Sequence, residues 1–337
     1  MVITTVGIDL GKTVCVAVAM DRRGKVVARK KLSHGALVRW LATLPACLVG
    51  MEAGSGAHHL GHRLVALGHE VRLMPPQYVR PYRQPMKNDA TDALACCEAV
   101  QRPEMRFVPL KSPRQLDLQA RHRVRQRLIV ERTRLINQLR GLLRERGIGV
   151  GQGRLRLQKA LPRILEDEDL GPMLAELLRE LQADWWRLDA RLAAQDEAIL
   201  AHARDDHRCR LLTTIPGVGP VTASAFVAAI DGAQAFRRAR DLAAWLGLVP
   251  KQHSTGGRER LLGITRRGNR YLRTLLVHGA RAVRRSPGAR TGRLGAWLDR
   301  LEARAHSNKV TVALANKLAR IAFAVLTSKE AYRAGAA

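Results

Sequence analysis

The sequence predicts a mixed α/β domain in its N-terminal third, then a basic helical hairpin and a mainly helical C-terminal domain. Two observations support this division. Short apolar runs alternate with helical patterns up to about residue 105, and two long segments of helical periodicity fill residues 106–207, before the glycine turns of residues 208–337. Strands that alternate with helices are typical of a sheet covered by helices. The chain has 337 residues and 46% hydrophobic content, which is enough for more than one packed core.

The first domain, residues 1–105, begins with two apolar strands and a hairpin turn. The strands are expected at residues 2–10 and 14–20, the turn at residues 21–24, and a third strand at residues 26–32. The later elements are a helix at 37–44, a strand at 47–52, a helix at 58–68, a strand at 71–74 and a helix at 89–100. This order predicts a mixed sheet.

Residues 106–207 predict two helices that pack as an antiparallel hairpin. The first covers residues 113–146, and its apolar residues follow a coiled-coil-like spacing at Val124, Leu128, Leu135, Leu139 and Leu142. Glycines in residues 147–153 break it. The second runs from about 173 to 202, with one apolar side formed by Leu174, Leu178, Leu181, Trp185, Leu188, Leu192 and Ile199. The basic face of the hairpin is either a solvated surface or a surface that contacts phosphates.

The third region, residues 208–337, contains a turn with the pattern of a helix-hairpin-helix element. Its core is Pro-Gly-Val-Gly-Pro at residues 216–220. Glycines there would let backbone N–H groups approach a DNA phosphate at a helix N-terminus. A simple interhelical turn is the alternative.

Charge predicts the class of partner. The chain has 58 Lys and Arg against 29 Asp and Glu, a formal net charge of +29, which implies a polyanion such as nucleic acid. A membrane partner is disfavoured, because no apolar run approaches the length of a membrane span. The five cysteines have no metal-ligand spacing and no signal peptide is recognised, so reduced, cytoplasmic thiols are expected.

Four carboxylates are the strongest candidates for chemistry. Asp9 and Glu52 each end an apolar run, and Asp89 and Asp92 share one face of a helix. Acids that converge in a basic chain suit a hard divalent cation, and two-metal phosphodiester chemistry draws oxygen ligands from several elements. We therefore predict that these four acids bind metal; taken singly, each could be a helix cap or an ion-pair partner. Residues 7–13 also resemble the first phosphate loop of actin-like ATPases, but no second loop follows.

Ser254 is a second candidate, as a nucleophile. It lies beside glycines and among arginines that could stabilise a phosphoryl transition state. Serine needs activation by a base, and His253 is adjacent to it in the sequence. An ordinary Ser-Thr-Gly-Gly loop is the alternative.

Taken together, these motifs resemble the DEDD-type transposases of bacterial insertion sequences. The resemblance is to the insertion-sequence-110 family, which is related to the pilin-gene invertase, and within it to the 1111 subgroup. It rests on Gly-x-Asp-x-Gly-Lys around Asp9, Met-Glu-Ala-Gly around Glu52, Lys-Asn-Asp-x-x-Asp-Ala with Asp89 and Asp92, the Pro-Gly-Val-Gly-Pro turn, and His-Ser-Thr-Gly-Gly. It extends from about residue 3 to residue 325.

The resemblance implies a RuvC-like N-terminal domain of the ribonuclease H-like fold, a coiled-coil insertion and a helical transposase domain. It implies Mg²⁺ (or Mn²⁺) at Asp9, Glu52, Asp89 and Asp92, and attack by Ser254 on a phosphodiester to leave a phosphoserine. It also implies donor and target DNA, a guiding bridge RNA, and a dimer or tetramer with composite active sites in the bacterial cytoplasm.

One departure from the family pattern leaves the nucleophile open. Relatives often have Ser-Ser-Gly or one Ser before the Gly, whereas this chain has Ser254-Thr255-Gly256, so Thr255 is the alternative to Ser254. Two other functions compete: a metal-dependent junction nuclease that forms no covalent intermediate, and a non-catalytic nucleic-acid-binding protein.

Overall fold

A computed structural model describes residues 2–83, 88–167, 170–290 and 292–334. The chain forms two compact units, Met1–Ser112 and Pro113–Ala337. The predicted hairpin of residues 106–207 thus contributes its helices to the second unit. Lys87, which belongs to the motif around Asp89, lies outside the described residues.

The first unit is built on a five-stranded mixed sheet. Its strands are Ile3–Leu10 (β1), Val14–Asp21 (β2), Val26–Ser33 (β3), Leu48–Glu52 (β4) and Glu70–Met74 (β5). Their order in the sheet is β3-β2-β1-β4-β5; β1, β2 and β3 are antiparallel neighbours, whereas β4 runs parallel to β1 and to β5. The predicted mixed sheet is confirmed.

Helices cover both faces of this sheet. They are His34–Ala42 (α1), Ala57–Ala66 (α2), Pro76–Val79 (α3) and Asp89–Val100 (α4). Side chains of β2 alternate between the faces, as the two-residue period of a strand requires. Cys15 and Ala17 join a core with α1 and α2, whereas Val16 and Val18 pack with Ala93 of α4. Helix α4 therefore covers one face of the sheet, and α1 and α2 cover the other.

The second unit begins with three helices: Pro113–Arg144 (α5), Arg154–Leu165 (α6) and Pro172–Asp205 (α7). Arg125 of α5 pairs with Asp196 of α7, and Arg132 pairs with Asp189 at 2.7 Å. Partner numbers fall along α7 as they rise along α5, so the two long helices are antiparallel, as predicted. Helix α6 was not predicted; it lies in the connection beyond the glycine break.

The predicted apolar stripe on α5 is partly wrong. Leu128, Leu135 and Leu139 are buried, but Val124 is 38% exposed. His122 and Leu143 are buried toward the two ends of the helix instead of Val124 and Leu142. On α7 the prediction is better: the buried positions Leu178, Trp185, Leu192 and Ile199 follow one another at intervals of seven residues.

The remainder of the second unit surrounds a separate core. Its elements are His207–Thr213 (α8), Pro220–Ile230 (α9), Ala239–Trp245 (α10), the hairpin Pro250–Gln252 (β6) and Leu261–Ile264 (β7), Arg270–Arg285 (α11), Gly292–Glu302 (α12) and Ser307–Ser328 (α13). Helix α13 is long and apolar enough to cross a membrane by length and composition, but half of its apolar window is buried inside the protein. Val310, Leu314 and Leu318 place it in the core.

His122 is a buried polar residue between α5, α9 and α11. Its Nε2 lies 3.1 Å from Ser224 Oγ, whose own proton goes to the Pro220 carbonyl oxygen, and its Nδ1 lies 3.0 Å from the Tyr271 hydroxyl. Burial, followed by the charges of Arg125 and His202, lowers the pKa of His122 to about 4. The folded protein therefore holds the neutral imidazole.

We expect this histidine to destabilise the fold in acid. The unfolded chain takes up the proton near its usual pKa of about 6.5, whereas the folded chain resists it until about 4, so stability present above pH 6.5 is lost as the pH falls through that window. The loss approaches about 3 kcal/mol of unfolding free energy. Denaturant titrations at several pH values give the unfolding free energy as a function of pH. This free energy should fall less steeply with decreasing pH for His122→Gln, and as steeply as in the unsubstituted protein for the exposed control His207→Gln. An equally steep fall in His122→Gln and in the unsubstituted protein would contradict this account.

Candidate active site

Two of the predicted acids lie at the carboxyl ends of neighbouring parallel strands, with Asp9 next to last in β1 and Glu52 last in β4. Gly7 of β1 pairs with Gly50 of β4, and Ile8 pairs with Met51. Asp9 and Glu52 are the next residues on these strands, so the register sets them side by side at one edge of the sheet.

Glycine allows α4 to lie directly against this edge. A Cβ on Gly7 would come within 2.2 Å of the Ala93 carbonyl oxygen, and one on Gly50 within 2.6 Å of Val100. Because strand side chains alternate, Gly7 and Asp9 share the face that α4 covers, as do Gly50 and Glu52. The glycine two residues before each acid is therefore a packing signal.

Helix α4 begins with a capping box that fixes the position of its two acids. The Asn88 side chain accepts a hydrogen bond from the Thr91 N–H at 2.8 Å, and Thr91 Oγ1 accepts one from the Asn88 N–H. Such a box satisfies N–H groups that the first helical turn leaves unpaired. It places Asp89 and Asp92 in the first turn, with Asp92 buried and Asp89 exposed.

Arg83 joins two of these acids. Its Nη2 donates a hydrogen bond to Glu52 Oε1 at 2.7 Å, and its Nε lies 3.1 Å from Asp92 Oδ1. Burial acts to lower the pKa of Arg83, but the hydrogen bond and charge of Glu52 and the charge of Asp92 together outweigh it and raise that pKa. Arg83 belongs to no motif in the sequence and was not among the predicted site residues.

The other three acids lie close enough to Asp9 for their charges to act on it. Burial raises the pKa of Asp9 first, and the negative charges of Asp92, Asp89 and Glu52 raise it further; Arg83 lowers it. Like charges that approach without enough compensation disfavour the ionised form. The structure thus brings the four predicted acids into one cluster.

The four acids nevertheless do not close around an ion-sized space. Among the described residues, the set whose ligand atoms all lie within 4.8 Å of one another is His202, Asp206 and Cys209, in the second unit. In that set the Asp206 carboxylate is already held by the Arg208 side chain and by the backbone N–H of Arg208 and Cys209. Asp206 therefore has the contacts of the N-cap residue of α8.

Ser254 lies at the exposed end of the β6–β7 hairpin. Its Oγ accepts a hydrogen bond from Gln252 Nε2 at 3.0 Å. The chain turns at Gly256 and Gly257, whose φ angles of +56° and +74° favour glycine. An exposed serine beside the exposed Arg258 can meet a phosphate, and the hydroxyl-bearing Thr255 is exposed on the same turn.

The opposite end of this hairpin, where it joins α10 and α11, is in contrast tightly packed. A Cβ on Gly247 would lie 2.3 Å from the Arg267 carbonyl oxygen, and one on Gly268 would lie 1.7 Å from that of Trp245. Arg273 on α11 also donates to the carbonyl oxygens of Leu246 and Arg267 at 2.7 and 2.9 Å. The exposed loop that carries Ser254 thus extends from the packed end of the hairpin.

The two glycines of the Pro-Gly-Val-Gly-Pro turn differ in their surroundings. Gly217, at φ +80°, presses against α11, where its own added Cβ would lie 2.6 Å from the Gly279 carbonyl oxygen. Gly219 precedes α9 and has open space around its Cα. Gly217 therefore serves the interhelical packing, while Gly219 leaves the helix N-terminus accessible.

Comparison with known proteins identifies the family. Residues 209–293 match the model described as "Transposase IS116/IS110/IS902 family". A probable family 20 transposase from Pseudomonas aeruginosa is 46% identical over 99% of this chain and 100% of its own length. The chain belongs to the IS110 transposase family. Residues 6–147 of this IS110-family transposase also match the DEDD transposase model of IS110 elements.

Two further relatives agree with the resemblance seen in the sequence. The transposase for insertion sequence element IS1111A from Coxiella burnetii is 40% identical over 99% of the chain and 92% of its own length. The pilin gene-inverting protein of Moraxella bovis is 24% identical over 83% of the chain and 79% of its own length. The predicted family is confirmed, and the IS110-family transposase is an enzyme of DNA transposition.

Proposed function

We propose that this IS110-family transposase is an RNA-guided DNA recombinase with a metal-binding DEDD site and a serine nucleophile. The observation that carries the proposal is the convergence of Asp9, Glu52, Asp89 and Asp92 at one sheet edge. A mixed sheet with acids at the ends of β1 and β4 and at the start of α4 supports a RuvC-like, ribonuclease H-like assignment for residues 1–105.

The acids fit a divalent metal by the chemistry of their atoms. All four offer carboxylate oxygens, which Mg²⁺ and Mn²⁺ prefer. Burial, and after it the negative charges of Asp92, Asp89 and Glu52, raise the pKa of Asp9, and a bound cation would offset both effects. When bound there, such ions would stabilise negative charge on a phosphodiester and on its leaving oxygen.

Ser254 is the proposed nucleophile. Its oxygen would form a bond to phosphorus while one phosphorus–oxygen bond of the DNA backbone breaks, freeing a sugar hydroxyl and leaving a phosphoserine. The serine proton would pass to water while the leaving sugar oxygen takes up a proton, so that the step balances; the neutral Gln252 amide exchanges no proton in it. Gln252 donates to the Ser254 oxygen, which orients it and stabilises negative charge there. Attack on the phosphoserine by another sugar hydroxyl would then rejoin the strand.

The nucleic-acid partners follow from charge. Exposed arginines follow α5 and surround the serine hairpin in a chain with net charge +29, which suits contacts to phosphate backbones. Such contacts carry little sequence information, so we assign the choice of donor and target DNA to pairing with a guide RNA. The proposal includes a coiled-coil role for residues 106–207, a helical transposase role for residues 208–337, a dimer or tetramer, and action in the bacterial cytoplasm.

The test is recombination of defined DNA by the full chain. The protein is expressed with the noncoding DNA that flanks its gene, the RNA that copurifies is sequenced, and joined donor–target products are scored. We expect a structured RNA whose loops match both DNAs, and products that move to a new site when the target-matching loop is rewritten. Products that form equally without that RNA would contradict the guided mechanism.

A further inference from the structure

Arg83 lies where the proposed metal site needs free carboxylates. One guanidinium contacts an acid from β4 and an acid from α4, at 2.7 Å from Glu52 and 3.1 Å from Asp92. The Arg83 side chain is 33% exposed, so it has a route to solvent. It holds a position between two elements that must share an ion.

The contact with Asp92 is an ion pair without a hydrogen bond. Arg83 Nε is buried, and among the described residues it has no hydrogen-bond partner. Arginine often forms two parallel hydrogen bonds to one carboxylate, and such a bidentate pair is stronger and more specific in geometry than a single contact. A buried N–H without a partner costs free energy, so this arrangement is easier to exchange than a bidentate pair.

We propose that Arg83 is an internal counter-ion that neutralises Glu52 and Asp92 in the ion-free protein and is displaced when a divalent ion binds. The inference rests on the proposed metal site and concerns what neutralises it before the ion arrives. It explains why the four acids cluster without bringing three ligand atoms within 4.8 Å of one another. Glu52 Oε1 cannot accept the Arg83 hydrogen bond and coordinate a metal ion without weakening one of the two contacts, because the guanidinium and the ion repel each other.

The test is Mn²⁺ binding to the full chain without nucleic acid, followed by the electron paramagnetic resonance signal of free Mn²⁺. Arg83→Gln is expected to bind Mn²⁺ about tenfold more tightly than the unsubstituted protein, because a competing cation is removed. The matched control is Arg72→Gln, since Arg72 pairs with Glu70 at the other end of β5; its affinity should not change. A thermal melt of each variant supplies a second measurement: Mn²⁺ should raise the melting temperature of Arg83→Gln more than that of the unsubstituted protein.

The outcomes separate the inference from the function on which it rests. If Arg83→Gln melts cooperatively but binds Mn²⁺ equally or more weakly, Arg83 is a positioning residue and the inference is overturned, while the metal site stands. If the unsubstituted protein binds no Mn²⁺, or if Glu52→Gln binds it as well as the unsubstituted protein does, the proposed metal site fails together with the inference.

Discussion

Asp9→Asn is expected to lower DNA strand cleavage by at least about a thousandfold, because a cluster that loses one carboxylate holds its catalytic ions poorly, and those ions contribute several kcal/mol to phosphodiester chemistry. The substitution keeps the shape of the side chain and removes its charge, one of four that cluster in this unit. The measurement is single-turnover cleavage of a guide-matched DNA in Mg²⁺.

The control for this prediction is Glu70→Gln. Glu70 begins β5, and it pairs with Leu48 at the opposite end of β4 from Glu52. Its side chain is exposed and joined to Arg72, so its loss should leave cleavage unchanged. Retained binding of nucleic acid by Asp9→Asn would show that the fold is intact. Normal cleavage by Asp9→Asn would mean that the acidic cluster is not catalytic.

Ser254→Ala is expected to abolish the covalent protein–DNA adduct and all joined products, because the hydroxyl oxygen that forms the bond to phosphorus is gone. The substitution removes one exposed atom at the end of the β6–β7 hairpin, so folding should not change. The adduct is trapped by denaturation during turnover and identified by the mass of the modified peptide.

Thr255→Ala is the matched variant for the serine. It removes the neighbouring hydroxyl on the same exposed turn and should retain the adduct. Loss of the adduct in Thr255→Ala with retention in Ser254→Ala would transfer the nucleophile to Thr255. Full cleavage without an adduct in both variants would favour a hydrolytic junction nuclease instead.

The first unit was largely predictable because its signals are local. Short apolar runs predicted the strands, and residues 21–24 predicted the hairpin turn, which closes with a hydrogen bond from the Gly24 N–H to the Asp21 carbonyl oxygen. Helix α4 begins at Asp89, where the sequence predicted it. Even the convergence of Asp9 and Glu52 has a local signal, since each acid follows a glycine by two residues.

The second unit was less predictable because burial there depends on packing between distant segments. Periodicity assigned Val124 to the apolar face of α5, yet His122 is buried because α9 and α11 offer it Ser224 and Tyr271. The short helix α6 contains Pro162, and that residue weakens any helical pattern. A polar side chain that is buried by hydrogen-bond partners on other elements, as His122 is, gives no periodic apolar signal.

Arg83 marks the same limit within the site. It follows a short turn after α3, and its role is visible only from its ion pairs with Glu52 and Asp92, which lie on other elements. A single sequence shows which acids end strands, but it cannot show which cation faces them.

The most direct test of the acidic cluster is an anomalous-scattering map from a crystal grown with Mn²⁺. We expect density for at least one ion bound directly to carboxylate oxygens of Asp9 and Glu52, with the Asp89 and Asp92 side chains completing the site and the Arg83 guanidinium withdrawn from it. Ordered density for these side chains with no anomalous peak among them, or a peak confined to His202, Asp206 and Cys209, would contradict the account.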